Sequence, residues 1–441
     1  MTKIKMFNYI KEDEDNFEHN IKSLVNSRMD SNEEITDKVS EILKNVKEGG
    51  NESLFKYMEE LDGIKNPSKN LFISQTDIKE AKAKCSKESL QALGLAKKRI
   101  EEFHLQQMPK DSLFSDDQKI NIKTRWIALE SVGVYIPGGK ASYPSSVLMT
   151  IIPAQIAGVK NIKATIPCRN NRIDPLVLAA LDLCNIEEIY KIGGSHAIAA
   201  LTWGTETISK VDIIIGPGNK WVAEAKKQVI GNVKIDMIAG PSEILIISDN
   251  YTNPEWVAAD LIAQAEHDET AQAILITDDI SFAKKVDECI RIQISQLSRS
   301  MIISESLKNN GYAIVVHNLS TSADIANTIA PEHLSILCRD YEIIEKEIIN
   351  AGVIFTGVWT PEAMGDYIIG SSHVLPTNGM AKNYSGLSVF NFLRRQSTIM
   401  GERETIKTLG PPAVILAECE GLDAHANSIK LRLKDELNDK D

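Results

Sequence analysis

Residues 132–139, Val132-Gly133-Val134-Tyr135-Ile136-Pro137-Gly138-Gly139, decide the fold class. The first five form an uncharged run, three of them β-branched, that reads as a buried strand, and Pro137-Gly138-Gly139 breaks it. A helix is expected next, with Pro144 near its first turn and an apolar face running through Ile156. The same alternation continues down the chain. Strands are expected at 162–166, 188–192, 211–215, 243–248, 273–277, 312–316 and 353–355, with helices between them. Strands alternating with helices predict an α/β fold built on doubly wound parallel sheets. Two turns echo each other: Ile136-Pro137-Gly138-Gly139-Lys140 and Gly216-Pro217-Gly218-Asn219-Lys220. Each follows an apolar strand and precedes a helix, and together they frame one α/β unit over about residues 131–241. Nothing else recurs at that interval, so the echo is not a solenoid repeat.

Outside this region the character changes. The first 125 residues read as mainly helical. Ser31-Asn32-Glu33-Glu34 resembles a helix start, followed by Ile35, Val39, Ile42, Leu43 and Val46 at helical spacing. Asp77 opens a second helical stretch to about Gln107, and the residues after Ser388 read as a small helical tail. A chain of 441 residues is too long for one core and predicts two or three domains. Its net charge of -12 argues against a nucleic-acid partner, which would need clustered Lys and Arg. The six cysteines form no CxxC pair, which disfavours an all-thiolate zinc site and fits free thiols in a reducing cytosol. The acidic N-terminal segment has no apolar core of signal-peptide type, and no run of about 18 apolar residues is present to span a bilayer. A cytoplasmic protein without a membrane partner is therefore expected.

The chemistry concentrates around four of the eight histidines. Pro331-Glu332-His333 sets a carboxylate beside an imidazole at the end of the apolar stretch 325–330. An imidazole exchanges protons near neutral pH and a carboxylate can activate water, but Glu332 reads equally well as a charge at a helix N-terminus after Pro331. Asn253-Pro254 marks a helix start, and further along Gln264 and His267 stand three apart on one helical face. Such a pair can grip a metal or simply form a solvated polar face. Asp366, in Gly365-Asp366-Tyr367, and His373 bracket a turn-rich segment. His373 suits a ligand, a substrate contact or loop packing. Glu420 and His425 lie near the C-terminus, where His425 reads either as a fourth ligand or as a surface histidine of an amphipathic helix. Nitrogen and oxygen donors without sulfur suit zinc. The two glycine turns sit at strand-to-helix junctions that can hold a phosphate-containing ligand, or none; neither is GxGxxG.

Read in order, these segments resemble the histidinol dehydrogenase family over about residues 30–430. The resemblance rests on Val134-Tyr135-Ile136-Pro137-Gly138-Gly139, Gly216-Pro217-Gly218-Asn219, Ala239-Gly240-Pro241-Ser242-Glu243 and Gln264-Ala265-Glu266-His267. It continues through Ala330-Pro331-Glu332-His333-Leu334, Gly365-Asp366-Tyr367, His373-Val374-Leu375-Pro376-Thr377, Ser385-Gly386-Leu387-Ser388-Val389 and Glu420-Gly421-Leu422-Asp423-Ala424-His425. It implies oxidation of L-histidinol to L-histidine through the aldehyde, with reduction of two NAD. It implies one Zn2+ per subunit on Gln264, His267, Asp366 and His425, anchoring the substrate's amine and imidazole. His333 would take the alcohol proton and Glu332 would activate water. Ser242, His373 and Glu420 would contact or surround the substrate, alongside the metal ligands and His333.

Tyr135, position 196 and Asn219 would meet NAD. There the sequence departs from the family: Gly193-Gly194-Ser195-His196 carries His where Gln is usual, which bears on cofactor affinity. The implied fold has two incomplete Rossmann-like domains plus small terminal segments. That gives 1–27 as an N-terminal helical segment, 28–130 with 242–386 as a discontinuous domain bearing the metal and acid–base residues, 131–241 as an inserted NAD-binding domain, and 387–441 as a tail. The implied assembly is a homodimer in which that tail completes the partner's site. Two rival readings use the same residues: a related dehydrogenase of another small alcohol, and a non-catalytic metal-binding scaffold. Glu420, suited to a cationic substrate, and the intact Glu332-His333 pair favour histidinol.

Overall fold

The computed structural model describes residues 6–26, 33–138, 143–168 and 172–438. Its strands are β1 (Asn8–Lys11), β2 (Ser112–Ser115), β3 (Asn121–Ala128), β4 (Ser131–Tyr135), β5 (Asn161–Thr165), β6 (Glu188–Tyr190) and β7 (Ile213–Ile215). They continue as β8 (Lys234–Ile235), β9 (Glu243–Ile247), β10 (Gln272–Thr277), β11 (Gly311–Val315), β12 (His333–Ile336), β13 (Val353–Thr356) and β14 (Leu393–Met400). The fold is α/β, as expected. Two parallel sheets carry most of it: a five-stranded sheet in the order β6-β5-β4-β7-β8 and a six-stranded sheet in the order β1-β11-β10-β9-β12-β13. Every residue of β4, β9 and β10 is buried, as befits strands covered by helices on both faces.

The opening stretch behaves as read. After β4 comes a helix, Pro144–Ala157, with Pro144 in its first turn and Gly158 ending it at φ 94°. Residues 145–154 are buried all round rather than along one face. Asn253 caps the helix Pro254–Ala265 by accepting the Glu255 N–H at 2.9 Å. The helix Glu33–Glu60 buries Ile35, Val39, Leu43 and Val46 against the five-stranded sheet's helices. Ser31 and Asn32, and Gly139 with Lys140, lie outside the described residues.

Four local expectations change. Pro331 does not open a helix: the helix Ser322–Ile329 stops, Ala330 turns into the left-handed region at φ 50°, and β12 begins at His333. Pro331 cannot donate to a continuing helix, so the chain leaves as a strand. The helix bearing Gln264 ends at Ala265, which leaves His267 just beyond it. Asp366 sits in a short helix, Glu362–Tyr367, rather than a loop. The stretches read as helical near residue 120 and after 388 contain strands, because β2 and β14 both pair with β3 in an antiparallel sheet.

The chain divides into two compact units, residues 1–107 with 130–392, and 108–129 with 393–441. The first holds both parallel sheets. The second holds the antiparallel sheet and two helices, Arg403–Cys419 and Asp423–Asn438. Among the described residues no helix is long and apolar enough to cross a membrane.

Leu245 lies on the central strand β9 and is fully buried. Leu245→Ala should therefore cost about 2–5 kcal/mol in guanidinium unfolding; a loss below about 1 kcal/mol would mean that the sheet is not the core.

Candidate active site

One residue of β9 organises the acid–base pair. The parallel register sets His333 of β12 against Ile244 of β9. Glu243, just before, then uses both main-chain groups on this pair. Its N–H donates to Glu332 Oε2 at 2.9 Å, and its carbonyl oxygen lies 3.0 Å from His333 Nδ1. A carbonyl only accepts, so Nδ1 carries the proton and Nε2 keeps its lone pair. The Nε2 atom is buried with no hydrogen-bond partner among the described residues. It faces Glu362 Oε1 at 3.6 Å and Asp366 Oδ1 at 3.9 Å. His333, Glu362 and Asp366 form a group whose ligand atoms lie within 4.8 Å of one another.

Burial dominates the electrostatics. It pushes the Glu332 carboxyl well above the usual carboxylate range, and the negative charges of Glu243, Asp366 and Glu362 push the same way, against the pull of the Glu243 N–H. Burial likewise raises Glu362, with help from Asp366 and Asp260, to about 9. It lowers the imidazoles of His333 and His373, against the attraction of Asp366.

Other expected residues gather around Asp366. Its Oδ2 lies 3.9 Å from His267 Nε2, a gap that one cation with bonds of about 2.0–2.2 Å can bridge. Gln264 is buried, and its Oε1 has no partner among the described residues. An orphaned amide oxygen, together with an aspartate and an imidazole, has the donor chemistry of a zinc site. His373 is occupied on both nitrogens: Nδ1 lies 3.1 Å from the Asp366 carbonyl, and Nε2 lies 2.9 Å from Ser146 Oγ. It thus ties the helix after β4 to the Asp366 segment. Ser242 immediately precedes β9 and is half-buried. Glu420 and His425 are exposed in the second unit, at the end of one helix and the start of the next.

The residues expected to meet NAD surround the point where the five-stranded sheet reverses its strand order, between β4 and β7. Tyr135 ends β4, and its hydroxyl accepts the Gly194 N–H at 3.2 Å. His196 is buried, and its Nε2 lies 2.9 Å from Asp62 Oδ2. Asn219 caps the helix Lys220–Gln228, accepting from the N–H groups of Trp221 and Val222. In open α/β sheets, ligands bind beyond the carboxyl ends of the strands at such a reversal.

Sequence reasoning missed Glu362, whose four-residue spacing from Asp366 was the available signal. It also missed the main-chain grip by Glu243, which leaves no mark on residue type.

A buried acid–base pair beside a metal-type donor set, joined to a doubly wound cofactor-type sheet, defines an oxidoreductase of the NAD-linked kind. Residues 25–433 match the family model described as histidinol dehydrogenase. The chain is 46% identical over 418 residues to a histidinol dehydrogenase of Gluconobacter oxydans, covering 95% of this chain and 97% of that one. It is 45% identical over 418 residues to histidinol dehydrogenase 1 of a Nostoc species, covering 95% and 96%. The solved histidinol dehydrogenase of Elizabethkingia anophelis superimposes with a TM-score of 0.93 at 36% identity, covering 99% of each chain. The chain belongs to the histidinol dehydrogenase family. It is an enzyme of the last step of histidine biosynthesis, in an NAD-dependent family.

Gly352 packs against the Glu332 main chain, where an added Cβ would sit 2.5 Å from the Glu332 carbonyl oxygen. Gly352→Ala should leave the protein folded but lower kcat at least tenfold by moving the acid–base pair. Retention of kcat within twofold, read as NADH formation, would contradict this placement.

Proposed function

We propose that the enzyme takes L-histidinol to L-histidine through L-histidinal, with two hydride transfers to NAD and one Zn2+ per subunit. The observation that carries this reading is the double hold of Glu243 on Glu332 and His333. In the first oxidation the carbinol hydrogen leaves as hydride to NAD. The hydroxyl proton goes to the free lone pair of His333 Nε2. In the second, Glu332 takes a proton from water as that water adds to the aldehyde carbon. The hydrated aldehyde then gives its hydride to a second NAD. A carboxyl raised above its ordinary range is a stronger base once ionised, which suits the activation of water.

Gln264, His267, Asp366 and the partner subunit's His425 would hold the zinc, whose charge anchors the substrate amine and imidazole. Ser242, His373 and Glu420 would frame the substrate, with His373 acting through its bridge from Asp366 to Ser146. Tyr135, His196 and Asn219 would meet NAD. The corresponding division is 1–27, 28–130 with 242–386, 131–241 and 387–441, in a cytoplasmic homodimer whose tails complete each other's sites.

An NADH assay with histidinol should give activity that falls on chelation and returns with zinc; histidinol-dependent activity indifferent to chelator would remove the metal from this reading. His333→Asn should nearly abolish the first oxidation, whereas Glu332→Gln should spare aldehyde formation and block its conversion to acid. Equal loss of both steps in both variants would refute that division of labour. Mixed dimers of Gln264→Ala with His425→Ala should regain up to about half of wild-type activity, because one of the two sites then carries no substitution. Verified mixed dimers without activity would show that the sites are not shared.

A further inference from the structure

A buried ion pair outside the acid–base site holds the turn on which the proposed cofactor reading depends. Lys226 and Asp236 are 2% and 4% exposed and form an ion pair. Asp236 Oδ2 accepts the Gly216 N–H at 2.7 Å, and Lys226 Nζ donates to the Gly216 carbonyl at 3.0 Å. The same carboxylate accepts the Met237 N–H through Oδ1 at 2.7 Å. Both polar groups of Gly216 are thus engaged by a single ion pair. This occurs where β7 ends and the ladder offers no further partner.

Gly216 is a strategic residue to hold. Its φ is +109°, and a Cβ there would lie 2.1 Å from the Tyr135 carbonyl oxygen. It therefore packs directly on the end of β4, while three residues later Asn219 caps the helix Lys220–Gln228. Lys226 comes from that same helix, so it fastens the helix back onto the turn that precedes it. Desolvating two charges is costly, and apolar replacement of a buried pair is often neutral or stabilising. Bulk stability does not explain the pair; the geometry it imposes on one turn does.

The geometry points to Lys226 and Asp236 as a positioning pair for dinucleotide binding: acting through Gly216, they preorganise the turn between Tyr135 and Asn219 for NAD. This rests on the reading of that turn as the cofactor site. Preorganisation lowers the ordering that binding must impose, so its loss should appear in cofactor affinity and not in the acid–base chemistry of Glu332 and His333.

The test uses the full-length protein and NADH fluorescence titration, with steady-state KM for NAD and for histidinol. Lys226→Met/Asp236→Leu should fold with a Tm near wild type, weaken NADH binding and raise KM for NAD at least tenfold. KM for histidinol and kcat at saturating NAD should stay within threefold. Wild-type NADH affinity in this folded variant overturns the proposal, as does a proportional change in both KM values. If the double variant fails to fold, Lys226→Gln decides: a selective rise in KM for NAD supports the pair, and an unchanged value overturns it. Asn219→Ala and Tyr135→Ala separate the two claims. If neither alters NADH affinity, the cofactor reading fails; if they weaken it while the pair variants do not, only the positioning role fails.

Discussion

The main chain of Glu243 holds both halves of the acid–base pair, its N–H on Glu332 and its carbonyl on His333. These residues are far apart in sequence, and only the parallel pairing of β9 with β12 brings them together. A slip of that register by one residue would turn His333 to the opposite face of the sheet and release both bonds. The site is therefore as rigid as the central strands that carry it. The imidazole tautomer is likewise fixed by backbone and not by a side chain free to rotate.

The two parallel sheets are used at opposite ends. In the five-stranded sheet, Tyr135 and the Gly216–Asn219 turn lie at the carboxyl ends of β4 and β7, beside the reversal of strand order. In the six-stranded sheet, Glu243 and His333 start their strands, so the acid–base pair lies at the amino ends. His373 links the two regions by reaching Ser146 on the helix that follows β4. A reaction needing a dinucleotide beside a bound alcohol is well served by two sheets that each contribute one edge.

The legible parts of the sequence were those written in local pattern. The uncharged run ending in Tyr135, the break at Pro137-Gly138 and the helix start at Pro144 are all decided within a few residues. β12 was not legible, because His333–Ile336 is too short to show alternation and follows an apolar helix directly. β14, in turn, is largely exposed and polar, and it is a strand because of its pairing with β3 far along the chain. In the site, the fold brings together His267, Asp366, His333 and His373, which the motifs singled out. Glu362 escaped because its significance is its burial against His333, and burial of a lone glutamate is a property of the finished fold.

Those same buried carboxylates explain why the site suits positive charge. Glu332, Glu362 and Asp366 share a small volume with imidazoles that burial disfavours in their charged form. Glu332 and Glu362 are raised first by loss of water and then by their neighbours' charge, so the cluster resists full ionisation on its own. A divalent cation or a protonated amine entering the cluster reverses that second contribution and lets the carboxylates ionise together. The alignment is mutual, since the carboxylates that would attract a cation are those which its arrival converts into bases. An apolar or anionic alcohol would gain nothing from this and would leave Glu332 protonated, which the proposed activation of water by Glu332 does not allow.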